Sequence, residues 1–132
     1  GDTSTANALD DYEEGTWTPS FFYATNFSAT LQAGTYTKTG NMVFCEGRIE
    51  GISMDSDNSQ IHISGLPFSA SANRVVSFTL GRRMDFLGSK VVKGADMTNY
   101  NNVVLWESHN NNILYSETAR SGQLSFAITY NI

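Results

Sequence analysis

The amino-acid sequence predicts an all-β protein, an antiparallel two-sheet β-sandwich of jelly-roll-like form, and three observations predict it. Toward the C-terminus Leu124, Phe126, Ile128, Tyr130 and Ile132 alternate with Gln123, Ser125, Ala127, Thr129 and Asn131. That period of two serves a strand and cannot serve a helix, whose apolar positions recur every three to four residues. Charged residues make up only 16% of the chain, and Ser, Thr, Asn and Gly stand where helical proteins use Ala, Glu, Lys and Leu. No amphipathic helical stretch exceeds two turns, while short apolar runs between turn formers predict seven to nine strands.

The elements follow in order. Residues 1–14 are small, polar and acidic, with Leu9 and Tyr12 as the only anchors, and are expected to form an extended lead-in to a domain over 15–132. Thr16-Trp17-Thr18 and Ser20-Phe21-Phe22-Tyr23 make a first strand region. Gly34 to Lys38 is a short strand, and Thr39-Gly40-Asn41 supplies a turn tolerant of positive φ. Over Met42 to Glu50 the alternation puts Val43, Cys45 and Ile49 on one face and Phe44, Glu46, Arg48 and Glu50 on the other. Asp55 to Ser59 is a loop; Ile61 and Ile63 flank an outward-pointing, exposed His62; Arg74 to Leu80 is another strand. Val103 to Trp106 and Ile113 to Tyr115 are apolar on both faces, joined by a hairpin loop over Ser108 to Asn112, so a second sheet or a second subunit is expected against them.

Composition excludes several functions. At 132 residues the chain has the length of one domain and can bury a core without disulfides. A net charge of −5 is the wrong sign for offsetting phosphates or docking on anionic lipid, so neither nucleic acid nor membrane is an expected partner. No apolar run approaches the ~20 residues that span a bilayer, and no basic-then-apolar signal region opens the chain. Cys45 is the single cysteine, expected as a small core residue, so neither a disulfide nor a cysteine metal site can form within the chain. Asp55-x-Asp57-x-Ser59 opens like a calcium loop, but Gln60 stands where that loop needs Gly and Leu66 where it needs Glu, so a polar turn is expected, with no metal and no cofactor. Asn26-Phe27-Ser28 is a glycosylation sequon without meaning in a bacterial setting.

Three stretches carry a resemblance. They are Leu9-Asp10-Asp11-Tyr12-Glu13-Glu14-Gly15-Thr16-Trp17-Thr18-Pro19, then Gly34 to Val43 with Gly47-Arg48-Ile49, then Ile63-Ser64-Gly65-Leu66-Pro67-Phe68. Their order resembles the C-terminal modules of bacteriophage tail fibres and tailspikes, over roughly residues 9 to 68; beyond Ser69 no motif of that family occurs. The resemblance implies a homotrimer at the distal end of a virion's fibre, with the lead-in joining a shaft. It implies a receptor-binding tip that attaches to a bacterial surface polysaccharide or lipopolysaccharide. Trp17 belongs to a motif shared among fibres with different hosts and is therefore expected to be structural, packing where the lead-in enters the domain or meets another subunit.

Candidate ligand residues follow from how proteins hold sugars, with aromatic faces for stacking and planar amides and carboxylates for hydroxyls, on loops carried by a rigid framework. Asp96, Tyr100, Asn101, Asn102 and Trp106 are candidates, as are His109, Asn110, Asn111 and Asn112. The alternatives are that Trp106 is core and that the asparagines are turn formers. Arg82-Arg83 could meet an acidic polysaccharide, or pair with Asp10-Asp11 or Glu13-Glu14 of a neighbouring subunit. Catalysis is not expected: His62 and His109 adjoin no nucleophile elbow, and Asp55, Asp57, Asp85, Asp96, Glu107 and Glu117 cannot be paired as a glycosidase requires from sequence. An assembly module without a ligand, or a small glycan-modifying hydrolase, are the competing functions.

Overall fold

The computed structural model describes residues 11–72, 75–84, 86–108 and 111–132. These are all-β, with strands β1 (Tyr12–Trp17), β2 (Ser20–Phe22), β3 (Leu31–Thr39), β4 (Met42–Ser53), β5 (His62–Ser64), β6 (Val75–Met84), β7 (Gly94–Thr98), β8 (Asn102–Ser108), β9 (Asn111–Asn112) and β10 (Ser121–Asn131). Every pairing is antiparallel, in the order β1-β3-β4-β10-β6-β7-β8-β5-β2, with β9 beside β8. One strand turns the corner: β6 pairs with β10 from Ser77 onward and with β7 through Val75 and Val76. The hydrogen-bonded path is thus continuous, and the sheet curls into a half-barrel with two leaves, β1-β3-β4-β10-β6 and β7-β8-β5-β2.

The alternation read from the sequence decides which side of the curl is dry. On β4 Val43, Cys45 and Ile49 are buried while Phe44, Glu46 and Arg48 face out; on β10 Leu124, Phe126, Ile128 and Tyr130 face in. The second leaf contributes Phe21, Ile63, Val103, Leu105, Ala95 and Met97 to the same cluster. Burial pushes the Cys45 thiol up to about 12, so it behaves as an apolar core group.

The three motifs of the sequence meet in space. Trp17 faces Gly34, Gly34 faces Gly47, and Gly47 faces Phe126 in one cross-strand row. Without side chains at 34 and 47 the indole lies flat across two strands, donating from Nε1 to the carbonyls of Thr35 at 3.2 Å and Glu46 at 2.9 Å, and meeting the Phe126 ring edge-on at 6.1 Å. Gly65 of the third motif packs against the Thr18 carbonyl. Phe68 stands edge-on to Tyr36 of the second at 5.2 Å, while the Tyr130 hydroxyl donates to the Phe68 carbonyl at 2.9 Å. Trp17 is therefore a core residue of this chain, 6% exposed.

Several elements differ from the sequence expectation. The first strand region is two strands on opposite edges of the sheet, parted by Thr18-Pro19. Tyr12, Glu13 and Glu14, expected in the lead-in, are already paired with Thr39, Lys38 and Thr37. Tyr115, expected in a strand, opens a 3-10 turn over Tyr115–Glu117. β7 was not anticipated at all. The lead-in before residue 11, Arg74 and Asp85 lie outside the described residues, as do the side chains of Arg82 and Arg83.

A methyl group added at Gly34 would strike the Trp17 indole and stand 2.7 Å from the Glu46 carbonyl oxygen, which is backbone and cannot yield. Gly34→Ala is expected to cost ~2–3 kcal/mol through overpacking. A chemical-denaturation midpoint unchanged in that variant would refute this account of the row.

Candidate functional site

The candidate residues between 96 and 112 occupy three places along β7, β8 and β9. Thr98 to Asn102 is a tight hairpin turn in which Asn99 and Tyr100 both have positive φ, 49° and 64°. Three residues, Asn99 to Asn101, join the paired Thr98 and Asn102, and the Asn101 amide donates to the Thr98 carbonyl at 3.3 Å. Tyr100 is half exposed there, Asn101 is exposed, and the Tyr100 carbonyl accepts from the Ala70 amide at 2.6 Å. Asn102, expected as a loop ligand, is instead a buried first residue of β8, 7% exposed. Asn111 and Asn112 form β9 at the far end, opposite Ser108 and Trp106. β8, seven residues long, thus separates this turn from the β9 end, by roughly 20 Å at the usual strand rise. The described candidates are not gathered into one loop site. His109 and Asn110 lie outside the described residues.

What it does gather is a face. On β8 the inward residues are Val103 and Leu105; Val104 and Trp106 point to the outer side. The indole of Trp106 lies on Gly94, its register partner, where any Cβ would collide with the ring. Trp106 is accordingly half-buried outside the core cluster, so the core alternative does not describe it. Asn112 faces Trp106 across one ladder, and Asp96 faces Val104 across the other. An aromatic ring, an amide and a carboxylate therefore share the outer surface of the second leaf. Asp96 stands on a strand here, exposed, and not on a loop.

The same face continues onto β5 and β2, which sequence reasoning passed over. His62 pairs with Val104 on one side and Phe22 on the other. Expected to be exposed, it is 7% exposed, with Nδ1 buried and unpartnered. Its ring stands edge-on to Tyr23 at 5.2 Å, and Tyr23 packs against Phe22 at 4.2 Å. Tyr23 reaches that side because its φ of 64° reverses the side-chain alternation that extended backbone would impose.

Other polar groups are occupied within the fold. Asp55 accepts from the Asn26 amide at 2.5 Å and Asp57 from the Thr25 hydroxyl at 2.5 Å, which gives the acidic loop the polar-turn role expected of it. Lys90 holds Glu117 at 2.5 Å and Glu107 at 3.2 Å. Among the described residues no three of His, Cys, Asp and Glu gather as a metal site. A groove of about 560 Å³ crosses the outer face of the first leaf, between the small residues Ala33, Thr35, Thr79 and Ala127 and beside Glu46 and Arg48. Beyond it Tyr12, Met42 and Phe44 expose 51%, 46% and 43% of their surface on the same side. In comparisons with known proteins, the chain matches no family model, no curated protein and no solved structure.

Burial disfavours the imidazolium and holds the His62 pKa below its ordinary value of 6.5. The unfolded chain then binds this proton more readily than the folded one. Its contribution is complete above 6.5 and declines as pH falls from there toward the depressed folded value. Denaturation midpoints measured from about pH 7.5 to 5 should decline in the parent, and His62→Phe should flatten that decline. An equal slope in both would remove His62 as its source.

Proposed function

We propose that the chain is the C-terminal module of a bacteriophage tail fibre or tailspike, a jelly-roll-like sandwich that trimerises and attaches the virion to a host surface glycan without acting on it chemically. The three motifs carry the resemblance, and their convergence on the Trp17 row supports a division of labour. A framework common to fibres of many hosts is held by these motifs, leaving the remaining surface free to differ between them. For the glycan, the carrying observation is the outward Trp106, fixed on Gly94 with Asp96 and Asn112 on its face. A ring set flat on a glycine loses little rotational freedom on stacking against a sugar, which favours affinity. Three such faces around an axis would combine weak contacts through effective concentration.

The assembly reading has an observation of its own in Tyr12, Met42 and Phe44. Exposed apolar side chains clustered on one sheet face mark an interaction surface, and a second copy of the chain is the partner this reading assigns. Attachment and assembly can coexist, because the two patches lie on different leaves.

The purified domain applied to host cells and to a glycan array, with its mass followed by light scattering, tests both. Trp106→Ala should weaken binding at least tenfold and Tyr100→Ala measurably, each with the oligomer intact. Undiminished binding by both would remove the β7–β9 face as the site. Phe44→Asp should lower the oligomer mass at micromolar protein; a persistent trimer would place the subunit contact elsewhere.

A further inference from the structure

The Phe22–Tyr23–His62 patch combines two costly features with an exposed aromatic surface. The first cost is backbone: Tyr23 sits at φ 64°, a region where a bulky side chain is strained by ~1–3 kcal/mol. The second is electrostatic, since His62 Nδ1 is buried without a partner, and a buried polar group left unmet costs ~1–3 kcal/mol. Tyr23 is 55% exposed and Phe22 45% exposed, so the strain does not serve apolar burial. The backbone beneath is held rigidly instead: the Tyr115 hydroxyl, fully buried, donates to the Phe22 carbonyl at 2.7 Å and accepts from the His62 amide at 3.2 Å. One buried hydroxyl thus fixes from behind the two strands that present Phe22 and His62.

The charge around the patch limits what it can receive. The turn that follows Tyr23 is bonded to Asp55 and Asp57, and hydrogen bonds from Ser59 and Thr25 hold the Asp57 carboxyl below its usual range, so it stays ionised. Asp96 lies in the same cross-strand row as His62, one strand beyond Val104. An acidic ligand would meet repulsion from all of these, and an uncharged one would not.

We propose that Phe22, Tyr23 and His62 form a saccharide subsite for an uncharged pyranose: the Tyr23 ring rotates off His62, the apolar face of the sugar stacks on Phe22 and the rotated Tyr23, and a sugar hydroxyl donates to the uncovered His62 Nδ1. This rests on the glycan-attachment reading and adds to it a position separate from Trp106 and a class of sugar. The orphan nitrogen gains its partner and the aromatic pair its cover only on binding, which accounts for both costs in the free protein.

Two substitutions separate this role from a structural one. Tyr23→Gly removes the ring and relieves the left-handed backbone, which glycine adopts freely; His62→Phe keeps a flat ring and removes the orphan nitrogen. Each should hold or raise the melting temperature while lowering binding at least tenfold on an array of matched uncharged and uronic-acid-containing bacterial saccharides, the parent preferring the uncharged members. If both variants bind as the parent does while Trp106→Ala binds poorly, the subsite is refuted and glycan attachment stands. Parental preference for the acidic members refutes the assigned sugar class. Loss of melting temperature equal to a core truncation in both variants shows the patch to be structural and overturns the proposal. A parent that binds nothing on the array, though trimeric, removes the attachment reading itself and the subsite with it.

Discussion

The closure of this sheet depends on one indole crossing two strands. Trp17 is the last residue of β1, at one edge of the hydrogen-bonded path, and after Thr18 and Pro19 the chain starts β2 at the other edge. Both ends of the curl are therefore held together by two residues of main chain, and Trp17 is the side chain that anchors the junction. Its Nε1 donates to carbonyls on β3 and β4, and its ring meets Phe126 on β10, so one residue engages three strands beyond its own. Gly34 and Gly47 make that possible by leaving the floor bare. Pro19 suits the crossing because it needs no partner for an amide hydrogen, while its carbonyl is met by the Gln32 side chain at 2.9 Å.

The sharing of work between inner and outer surfaces follows. The inner surface is apolar and continuous from Trp17 round to Met97. Tyr115 and Tyr130, whose burial raises their pKa, spend their hydroxyls on backbone at Phe22 and Phe68. The outer surface divides between a small-residue groove flanked by exposed apolar side chains on the first leaf and an aromatic-polar face on the second. On the proposed reading, the first would bury apolar area against another copy of the chain and the second would stack on a sugar and bond its hydroxyls.

The strands with clean alternation were legible in the sequence. β4 and β10 keep period two because one of their faces is dry, and Trp17 showed itself as structural through its motif. β7 was not legible, since Gly94 and Asp96 carry little strand signal and only Ala95 and Met97 reach the core. The separation of β1 from β2 was available in Pro19 but requires knowing that the chain changes edges there. Of the candidate site, Trp106 could be named but not oriented: its outward position depends on Gly94, a register partner twelve residues earlier. Asn102 and His62 were misjudged for one reason, that burial on an outer face is set by neighbours and not by alternation. For His62 that neighbour is Tyr23, whose left-handed backbone no periodicity announces.

The strand order carries a consequence for biosynthesis. β10 is the last of the described strands in chain order, yet it lies inside the first leaf, hydrogen-bonded on both sides to β4 and β6. During translation β4 and β6 emerge long before their common neighbour and present unpaired edges, the feature through which nascent strands aggregate. Non-local pairing of this kind is slow. The first leaf can therefore be completed only after β10 has been made, since that strand supplies the partner edge of both β4 and β6.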